Sequence, residues 1–496
     1  MDTITTRLVI LLALLLSCMS PDTSTLAASL SAGSSCYNPV DYGADSTGVA
    51  DSRPGIQAAI DAAAAAGRGQ VCIPAGTFRV TRAPLGSYNR FAALSTHGQN
   101  IEIAGAGPGT VIKAEGDATA STYLVIGVDP GARNVKIGKL VIDTVGLYNT
   151  EEQTHAVGVG SSLGTGLIQD ITLDGIEYVH PKVFGVRKGD CVRLLGNVLD
   201  TAVHRVKIIN STFTNCARSG IAIQRNVFSL KIIGNHFTQA TDQDIDGEAS
   251  GGQWDEGLEI ADNTFDDDVT LSQGNYSVAL TSYRRAIVTG NNFRGRGIYL
   301  YRTSDVTIAS NTFLADFDTS NGVIEFSNLA DRAIVANNNI TRRGVAGSVI
   351  RVGPHSGGLP SRLLVSGNHL TNETAGSGID FESAQNVSVV GNDLFWAVPA
   401  PGQGAIVLRS IAVSGAGILI QGNRILGPVT RAVVLHASPL PITDASVVGN
   451  YSVGVTYGLR CEQSVAGNFP NPIVHSANRW SGAMDCASAV LVTQYP

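Results

Sequence analysis

The chain has 496 residues, a net charge of −7 and a hydrophobic fraction of 44%, with 56 glycines and only 15% charged residues. Because nucleic-acid-binding proteins need a basic surface, this acidic balance argues against a nucleic-acid partner. No stretch is long and apolar enough to predict a transmembrane segment. The composition favours an exported protein rich in β-structure.

Residues 1–28 are predicted to be a secretory signal peptide. Arg7 precedes an apolar run over 8–16, which is too short to span a bilayer, and small and polar residues follow it. Cleavage is expected after Ala27 or Ala28. In an alternative interpretation Cys18 is the lipid-bearing residue of a lipoprotein signal, but the leucine before Ser17 suits such a signal poorly. A secreted or periplasmic protein is therefore preferred over a lipid-anchored one.

A capping helix is predicted in the segment that follows the mature N-terminus. Asp51 or Ser52 is placed to cap it, and Gly67 ends it. Ile56 and Ile60 lie one turn apart and form an apolar stripe. Such a helix would cover the open end of a strand-based solenoid, so we expect these residues to form a cap rather than a functional site.

The same segment carries the motifs of a known family. Residues 41–44 (DYGA), 56–60 (IQAAI) and 73–78 (IPAGTF) resemble the opening of the pectate-lyase-like, rhamnogalacturonase and epimerase-like superfamily. The resemblance implies an all-β fold, a single-stranded right-handed parallel β-helix. Its predicted divisions are 36–67 for the N-terminal strand and capping helix, and 68–496 for the β-helix with a C-terminal cap. A resemblance of this kind indicates architecture and leaves the chemistry open.

A short phrase then recurs to the end of the chain: a hydrophobic strand, an asparagine, one residue and, in nearly every copy, an apolar residue. A second short strand follows most copies, and a repeat of short strands without helical patterns predicts a β-solenoid. Asparagine adopts left-handed backbone geometry and can bond to its neighbours along a stack, so we expect these residues to form a structural ladder. The predicted ladder is Asn210, Asn235, Asn263, Asn291, Asn311, Asn338, Asn368, Asn392, Asn423 and Asn450.

The second strand of each repeat turns alternate side chains outward, and these align along the face of the solenoid about 4.8 Å apart. The middle of this face carries Tyr299, Tyr301 and Glu325, with Arg225 and Arg302 at strand ends. Tyrosines offer apolar rings and hydroxyls, and arginines bind carboxylates in a bidentate manner. The pattern predicts a polysaccharide partner, preferably an acidic one.

The segment 241–248 places Asp242, Asp244, Asp246 and Glu248 at alternate positions, so an extended strand would crowd four carboxylates onto one face. In the preferred interpretation these are catalytic, with Asp246 and Glu248 as an acid/base pair and Asp244 beside them. Residues at i and i+2 lie roughly 6.5–7 Å apart, near the lower limit for an inverting glycosidase.

Two other interpretations of this segment stay open. Asp242, Asp244 and Asp246 resemble the start of an EF-hand calcium loop, although position twelve is Gln253 rather than glutamate. Alternatively, the segment is a solvated acidic turn. We prefer catalysis because crowded carboxylates in a groove have perturbed pKa values.

The sequence thus predicts a carbohydrate-active enzyme, with a glycoside hydrolase preferred over a polysaccharide lyase or a uronan epimerase. A non-catalytic polysaccharide-binding β-helix is the remaining alternative. The polygalacturonase motifs are incomplete, since only Asp190 of the Asp-Asp pair is present, and the Asp-Pro-His motif of alginate epimerases is absent. A lyase base could come from Lys182, Arg187 or Lys188.

Six cysteines remain once Cys18 is set aside, which suits an oxidising compartment. Taken as sequence neighbours they form the pairs Cys36–Cys72, Cys191–Cys216 and Cys461–Cys486. The last two pairs are each 25 residues apart, about one repeat, so each could join two stacked coils. Other connectivities stay open. No Cys-x-x-Cys spacing suggests a metal site.

Overall fold

The computed structural model describes residues 36–85, 90–117, 123–148, 154–161, 164–179, 189–197, 202–248, 254–268, 276–317, 320–328, 331–353, 361–383, 385–411, 414–464, 467–486 and 491–493. Within these residues the chain forms one α-helix, one short 3₁₀ helix and 46 strands. The predicted signal peptide and Cys18 lie outside the described residues, as does the basic cluster of Lys182, Arg187 and Lys188. No helix in the described ranges has the length and hydropathy to cross a bilayer.

The α-helix Arg53–Ala65 follows the 3₁₀ helix Pro39–Tyr42 and covers the first coil. Of the two predicted caps, Asp51 performs this function: its Oδ1 accepts a hydrogen bond from the Arg53 backbone N–H at 3.1 Å. Its Oδ2 accepts from the Thr81 hydroxyl at 2.6 Å, which ties the start of the helix to the solenoid. The Ser52 hydroxyl instead donates to the Asp45 carbonyl at 2.6 Å. Ile56 and Ile60 are fully buried, as the apolar stripe predicts.

Strands stack coil upon coil to form the body of the protein. Sheet I has 16 strands: the first coil contributes an antiparallel hairpin, and each later coil adds one parallel strand. Its strands are Ala83–Leu85, Arg90–Thr96, Tyr123–Val128, Thr154–Gly160, Val192–Leu195, Ile221–Gln224, Ile245–Glu248, Tyr276–Thr281, Gly297–Tyr301, Ile324–Ser327, Ile350–Gly353, Ile379–Phe381, Ala400–Arg409, Val429–Ala437, Tyr457–Gln463 and Ala483–Asp485.

The remaining 30 strands form two faces, which two long strands make continuous. Sheet II, which precedes the asparagine turns, contains Cys36–Tyr37, Gly69–Ile73, Gln99–Gly105, Arg133–Tyr148, Ile168–Val179, Val203–Ile209, Val227–Ile233, Asp255–Ala261, Tyr283–Thr289, Ser304–Ala309, Ile334–Ala336, Ser361–Ser366, Gln385–Val390, Ala416–Gln421, Ala445–Val448, Ile473–Ser476 and Leu491–Thr493. Sheet III, which follows those turns, contains Gly76–Thr81, Thr110–Asp117, Thr212–Thr214, His236–Thr238, Thr264–Asp266, Asn292–Gly295, Thr312–Phe317, Asn339–Gly344, His369–Asn372, Asp393–Trp396, Arg424–Leu426, Tyr451–Val453 and Arg479–Trp480. This architecture confirms the predicted parallel β-helix.

The asparagine ladder is present, with one correction at its start. From Asn235 to Asn450, each side chain is buried and its Nδ2 donates to the Oδ1 of the asparagine in the next coil at 2.9–3.0 Å. The prediction for Asn210 was wrong, because the position below Asn235 is held by Ser211, whose backbone N–H donates to Asn235 Oδ1. The ladder also extends one coil further, to Asn478.

The left-handed residue of each turn is the one before the ladder asparagine. Asn210 has a φ of 50°, and the equivalent Gly234, Asp262 and Gly290 also have positive φ. The prediction that the ladder asparagines themselves adopt left-handed geometry was therefore wrong. The residue before the ladder makes the bend, and the asparagine side chain can therefore point inward and form hydrogen bonds along the stack.

An aromatic stack runs inside the solenoid just after the ladder. Neighbouring rings lie 4.5–4.9 Å apart between centroids and are nearly parallel. The stack contains Tyr178, Phe213, Phe237, Phe265, Phe293 and Phe313. Because the five phenylalanines occupy the apolar position of the repeated phrase, one sequence pattern produces both the ladder and most of the stack.

Three disulfides join strands or turns of adjacent coils: Cys36 to Cys72, Cys191 to Cys216, and Cys461 to Cys486. These are the sequence-neighbour pairs. Cα atoms of the second pair are 5.7 Å apart, within the usual range for a disulfide.

Candidate functional site

The strand Ile245–Glu248 sets the candidate site on the outer face of sheet I. Asp246 pairs in register with Ala222 of the coil before and Ala279 of the coil after. Since both neighbours end in a methyl group, no polar side chain of the adjacent coils faces the carboxyl within this column. Larger side chains lie one coil further away on each side, at Arg193 and Tyr299.

Asp246 is partly exposed and, within the described part of the chain, has neither an ion pair nor a hydrogen bond. Burial raises its pKa to about 8, and the nearby charges of Glu248, Asp190 and Asp242 add to that shift, whereas Arg218 opposes it. Glu248 is exposed on the same face two residues further on, where Gln224 Nε2 lies 3.4 Å from its Oε2. The site therefore pairs a carboxyl that is protonated near neutral pH with an exposed carboxylate.

Below this strand lies a buried ion pair that sequence reasoning missed. Arg218 Nε and Nη2 donate to the Asp190 carboxylate at 2.7 and 2.6 Å. Burial raises the pKa of Asp190, but the charges and hydrogen bonds of Arg218 and His155 together outweigh this effect and hold that pKa well below its usual range. The signal was the predicted disulfide: Asp190 adjoins Cys191 and Arg218 follows Cys216, so the bridge brings the pair together.

Gly247 separates the two candidate carboxylates for a steric reason. A side chain at this position would point into the solenoid, where its Cβ would lie 2.7 Å from the Tyr283 ring. Tyr283 is buried beside Asp255, whose pKa burial raises to about 6. A second protonatable carboxyl therefore lies under the strand, in a position that no bound substrate could reach without displacing the core.

The predicted crowding of four carboxylates on one face was wrong. The strand begins only at Ile245, so alternation does not extend back to Asp242 and Asp244. Asp244 is buried, and its Oδ2 lies 3.4 Å from Arg296 Nη2. Burial and the charge of Asp267 raise the pKa of Asp244 well above its usual range. Asp244 is therefore a core residue, not a partner of Asp246.

The calcium interpretation loses its geometric basis with this result. Asp242 is also buried, and its backbone carbonyl accepts a hydrogen bond from Arg296. Nowhere in the described ranges do three or more His, Cys, Asp or Glu side chains form a group suited to a metal ion. The positive charge in this buried cluster comes from the Arg296 guanidinium, whose Nη2 lies 2.7 Å from Asp267 Oδ1.

The predicted sugar-binding residues fall into two groups. Tyr299 and Tyr301 are partly exposed on the same face as Asp246, and Tyr301 accepts a hydrogen bond from Asn328 at 2.9 Å. Arg225 and Arg302 follow their strands at the corner between sheets I and II, with φ of 35° and 51°. All four side chains are partly exposed.

Glu325 differs from these residues, because its partners are internal. It is 7% exposed, and its Oε2 accepts hydrogen bonds from the Tyr276 hydroxyl and the Gly322 backbone N–H, both at 2.8 Å. Arg351 Nη1 lies 3.7 Å from its Oε1. This geometry does not support its expected role in sugar binding, because the carboxylate is buried and its hydrogen bonds are to groups of the protein.

Sheet I carries a second pair of carboxylates with the same spacing, Asp380 and Glu382, beside a recess of about 250 Å³. Here both are neutralised: Arg409 bonds to Asp380, and Arg351 donates to Glu382 Oε1 at 2.6 and 3.0 Å. This pair resembles a structural ion-pair network and offers a matched comparison for the unpaired Asp246.

The comparisons with known proteins agree with the architecture. Residues 36–267 match the family model described as rhamnogalacturonase A/epimerase, pectate lyase-like. Residues 197–394 match the model of the right-handed β-helix region. The two matches together cover residues 36–394, and they agree with the right-handed parallel β-helix of the structure.

Curated relatives match over shorter segments. The chain is 47% identical over 91 residues to the mannuronan C5-epimerase AlgE6 of Azotobacter vinelandii, a match covering 18% of this chain and 10% of the relative. It is 33% identical over 174 residues to alginate lyase 7 of the same organism, covering 35% of this chain and 16% of the relative. The match thus spans well under a fifth of either relative's length.

Among solved structures, the tailspike gp61 of the Pseudomonas phage phi297 has a TM-score of 0.54 at 11% identity. The superposition covers 90% of this chain and 80% of the tailspike chain. At this identity the likeness concerns the fold alone.

Proposed function

We propose that the protein is an enzyme that hydrolyses an acidic polysaccharide lying along the outer face of sheet I, with Asp246 as proton donor and Glu248 as the paired base. One observation carries the proposal: a partly exposed carboxyl without an ionic partner, whose pKa is raised to about 8, stands two residues from an exposed carboxylate. Catalytic acids need such a pKa to hold a proton near neutral pH.

The chemistry follows from the spacing. Two outward residues at i and i+2 are separated by roughly 6.5–7 Å, which leaves room for a water molecule on the side of Glu248. Asp246 gives its proton to the glycosidic oxygen as the bond to the anomeric carbon breaks. Glu248 takes a proton from the water whose oxygen forms the new bond. Proton exchange with solvent restores both groups.

Neighbouring residues would position the sugar chain. Tyr299, two coils from Asp246, presents a ring that packs against Tyr276 at 5.2 Å between centroids, so it is held in place before a sugar arrives. Arg225 and Arg302 lie at the edge of the face, one coil before and two coils after Asp246. Their guanidinium groups suit the carboxylates of an acidic glycan.

A second candidate reaction uses the same pair. Similarity to a mannuronan C5-epimerase and to an alginate lyase favours chemistry at C5 of a uronate. In elimination, Glu248 would take the C5 proton, the C4–oxygen bond would break as a C4–C5 double bond forms, and Asp246 would protonate the departing oxygen. In epimerisation, the C5 proton would be returned from the opposite face without cleavage.

A panel of acidic and neutral polysaccharides separates these reactions. We expect new reducing ends without absorbance from unsaturated uronates for hydrolysis, and both signals together for elimination. Epimerisation would change the proton NMR spectrum of the polymer without new ends. The Asp246→Asn variant is the control for contaminating activity. Absence of all three products on every glycan, from folded protein, would contradict an enzymatic role.

The pH profile tests the assignment of the acid. Because Asp246 must be protonated to act, and its pKa is about 8, kcat/KM is expected to fall as pH rises through about 8, with a slope of about −1 on logarithmic axes. The pH dependence of kcat/KM is measured with the best substrate of the panel at constant ionic strength. A fall that begins near pH 4 to 5 would instead indicate a carboxyl with an ordinary pKa and would contradict this role for Asp246.

A further inference from the structure

A recess of about 480 Å³ lies on the outer face of sheet II, around the corner from the candidate active site. Its volume falls within the roughly 300–1,000 Å³ typical of small-molecule sites. Trp254, the residue before the strand Asp255–Ala261, lines it and is partly exposed. Two guanidinium groups flank this indole: Arg284 lies over the ring at 4.3 Å and Arg302 at 5.8 Å from its centroid.

The charges around the recess do not cancel. Its three carboxylates each have an arginine partner: Glu256 pairs with Arg285, Asp305 and Asp331 with Arg332, and Asp331 also with Arg362 at 2.5 Å. Arg284 and Arg302 have no carboxylate partner within the described ranges. Arg284 is exposed, so its charge reaches the solvent above the tryptophan.

We propose that this recess is a second glycan-binding site, which takes an anionic sugar residue against Trp254 and binds its carboxylate or sulfate group through Arg284 and Arg302. Two unpaired like charges beside one ring repel each other, and a bound anion removes that repulsion. An arginine provides bidentate hydrogen bonds to a planar carboxylate, and the exposed part of the indole offers an apolar surface to a sugar ring.

The site is distinct from the proposed catalytic centre, since Glu256 and Arg284 pair in register on sheet II. Arg302 lies at the corner between the two sheets, so a polymer could cross from one site to the other. Binding at the recess would hold a long polysaccharide while its scissile bond lies at Asp246. The inference does not rest on the proposed reaction, because binding can be measured without turnover.

The test uses full-length protein carrying Glu248→Gln, titrated calorimetrically with an oligomannuronate, a sulfated galactan oligosaccharide and a neutral cello-oligosaccharide. Trp254 fluorescence supplies a local signal, because Trp396 is 1% exposed and Trp480 packs against the core. We expect an anionic oligosaccharide to quench it and Trp254→Phe to remove that quenching. Binding of the oligomannuronate would identify a carboxylate as the recognised group, and binding of the sulfated galactan oligosaccharide would identify a sulfate.

In the same background, Arg284→Gln should weaken the binding that quenches Trp254 at least tenfold, as expected for loss of a charge-assisted contact. Arg424→Gln, an exposed arginine paired with Asp393 on sheet III, is the matched control and should leave it unchanged. Quenching that is unaffected by Arg284→Gln, equal binding of the neutral oligosaccharide, or no quenching by either anionic oligosaccharide would each overturn the proposal. Because every titration is done in the Glu248→Gln background, the outcome does not depend on whether the protein hydrolyses a glycan.

Discussion

Asp246→Asn and Glu248→Gln are each expected to lower kcat/KM by about a hundredfold or more, the usual contribution of a general acid or base. Both side chains keep their size and lie on an outer face, so the coils should stack as before. The comparison is with Asp380→Asn and Glu382→Gln, which change the second pair of carboxylates on the same sheet. Full activity in the Asp246 and Glu248 variants, with loss in the second pair, would move the site to Asp380.

The same substitution has a second expected consequence, on stability. The pKa of Asp246 is about 8 in the folded protein against an ordinary 3.8, so the folded state holds the proton that the unfolded chain has lost between these values. The contribution of this protonated group is complete below about pH 4 and declines as pH rises toward about 8. Asparagine cannot ionise, so at about 1.4 kcal/mol per pKa unit Asp246→Asn should raise the free energy of unfolding at pH 8 by roughly 5 kcal/mol.

Denaturant unfolding at pH 4 and pH 8 measures this difference. At pH 4 the wild type and Asp246→Asn should be nearly equal, whereas at pH 8 the variant should be the more stable. Glu259→Gln, on sheet II and paired with Lys231 at 2.7 Å, is a control for a carboxylate in an ordinary ion pair. A variant less stable than the wild type at pH 8 would show that the ionised carboxylate has a stabilising partner.

Asn291→Leu is expected to destabilise the protein by at least about 3 kcal/mol, because several buried groups lose their partners together. Asn291 Nδ2 donates to the carbonyls of Ile260 and Thr289 at 2.9 and 3.0 Å, and to Asn311 Oδ1 at 2.9 Å. Its own oxygen accepts from the backbone N–H and Nδ2 of Asn263, both at 2.9 Å. Leucine has a similar volume and can satisfy none of these groups.

The neighbouring residue provides the control. Asn292 is exposed at the start of the strand Asn292–Gly295, and Asn292→Ala should change the free energy of unfolding by no more than about 0.5 kcal/mol. Chemical denaturation followed by circular dichroism measures both variants. Equal, small effects at the two positions would mean that the ladder does not stabilise the stack.

The sequence alone was enough to predict the β-helix and most of its ladder. Inward and outward positions alternate strictly in a strand, and the asparagine recurs in each coil, so register could be derived without coordinates. Ala222, Asp246, Ala279 and Tyr299 indeed lie in one column. The repeat length also favoured two of the three cysteine pairs, in which the cysteines lie 25 residues apart, about one coil.

At the first turn of the ladder, the sequence left open which of two neighbouring residues faces inward. In the stretch Ile209–Asn210–Ser211, an asparagine occupies the bend and a serine occupies the ladder, the reverse of what residue type suggests. Asn210 has the left-handed φ that glycine has at Gly234, and both residue types accept this geometry. Only the hydrogen bond from Ser211 to Asn235 shows which residue faces inward.

Tertiary structure decided the chemistry of the acidic segment. Alternation assigns a face only inside a strand, and the strand that holds Asp246 begins after Asp244. The direction of Asp244 was set by Arg296, which lies 52 residues later and meets it only because the coils stack. The pKa of Asp246 likewise depends on burial and on Asp190 and Arg218, which a disulfide brings under the strand. The repeat is encoded locally and can be read from the chain, whereas burial and charge at one site arise from coils distant in sequence.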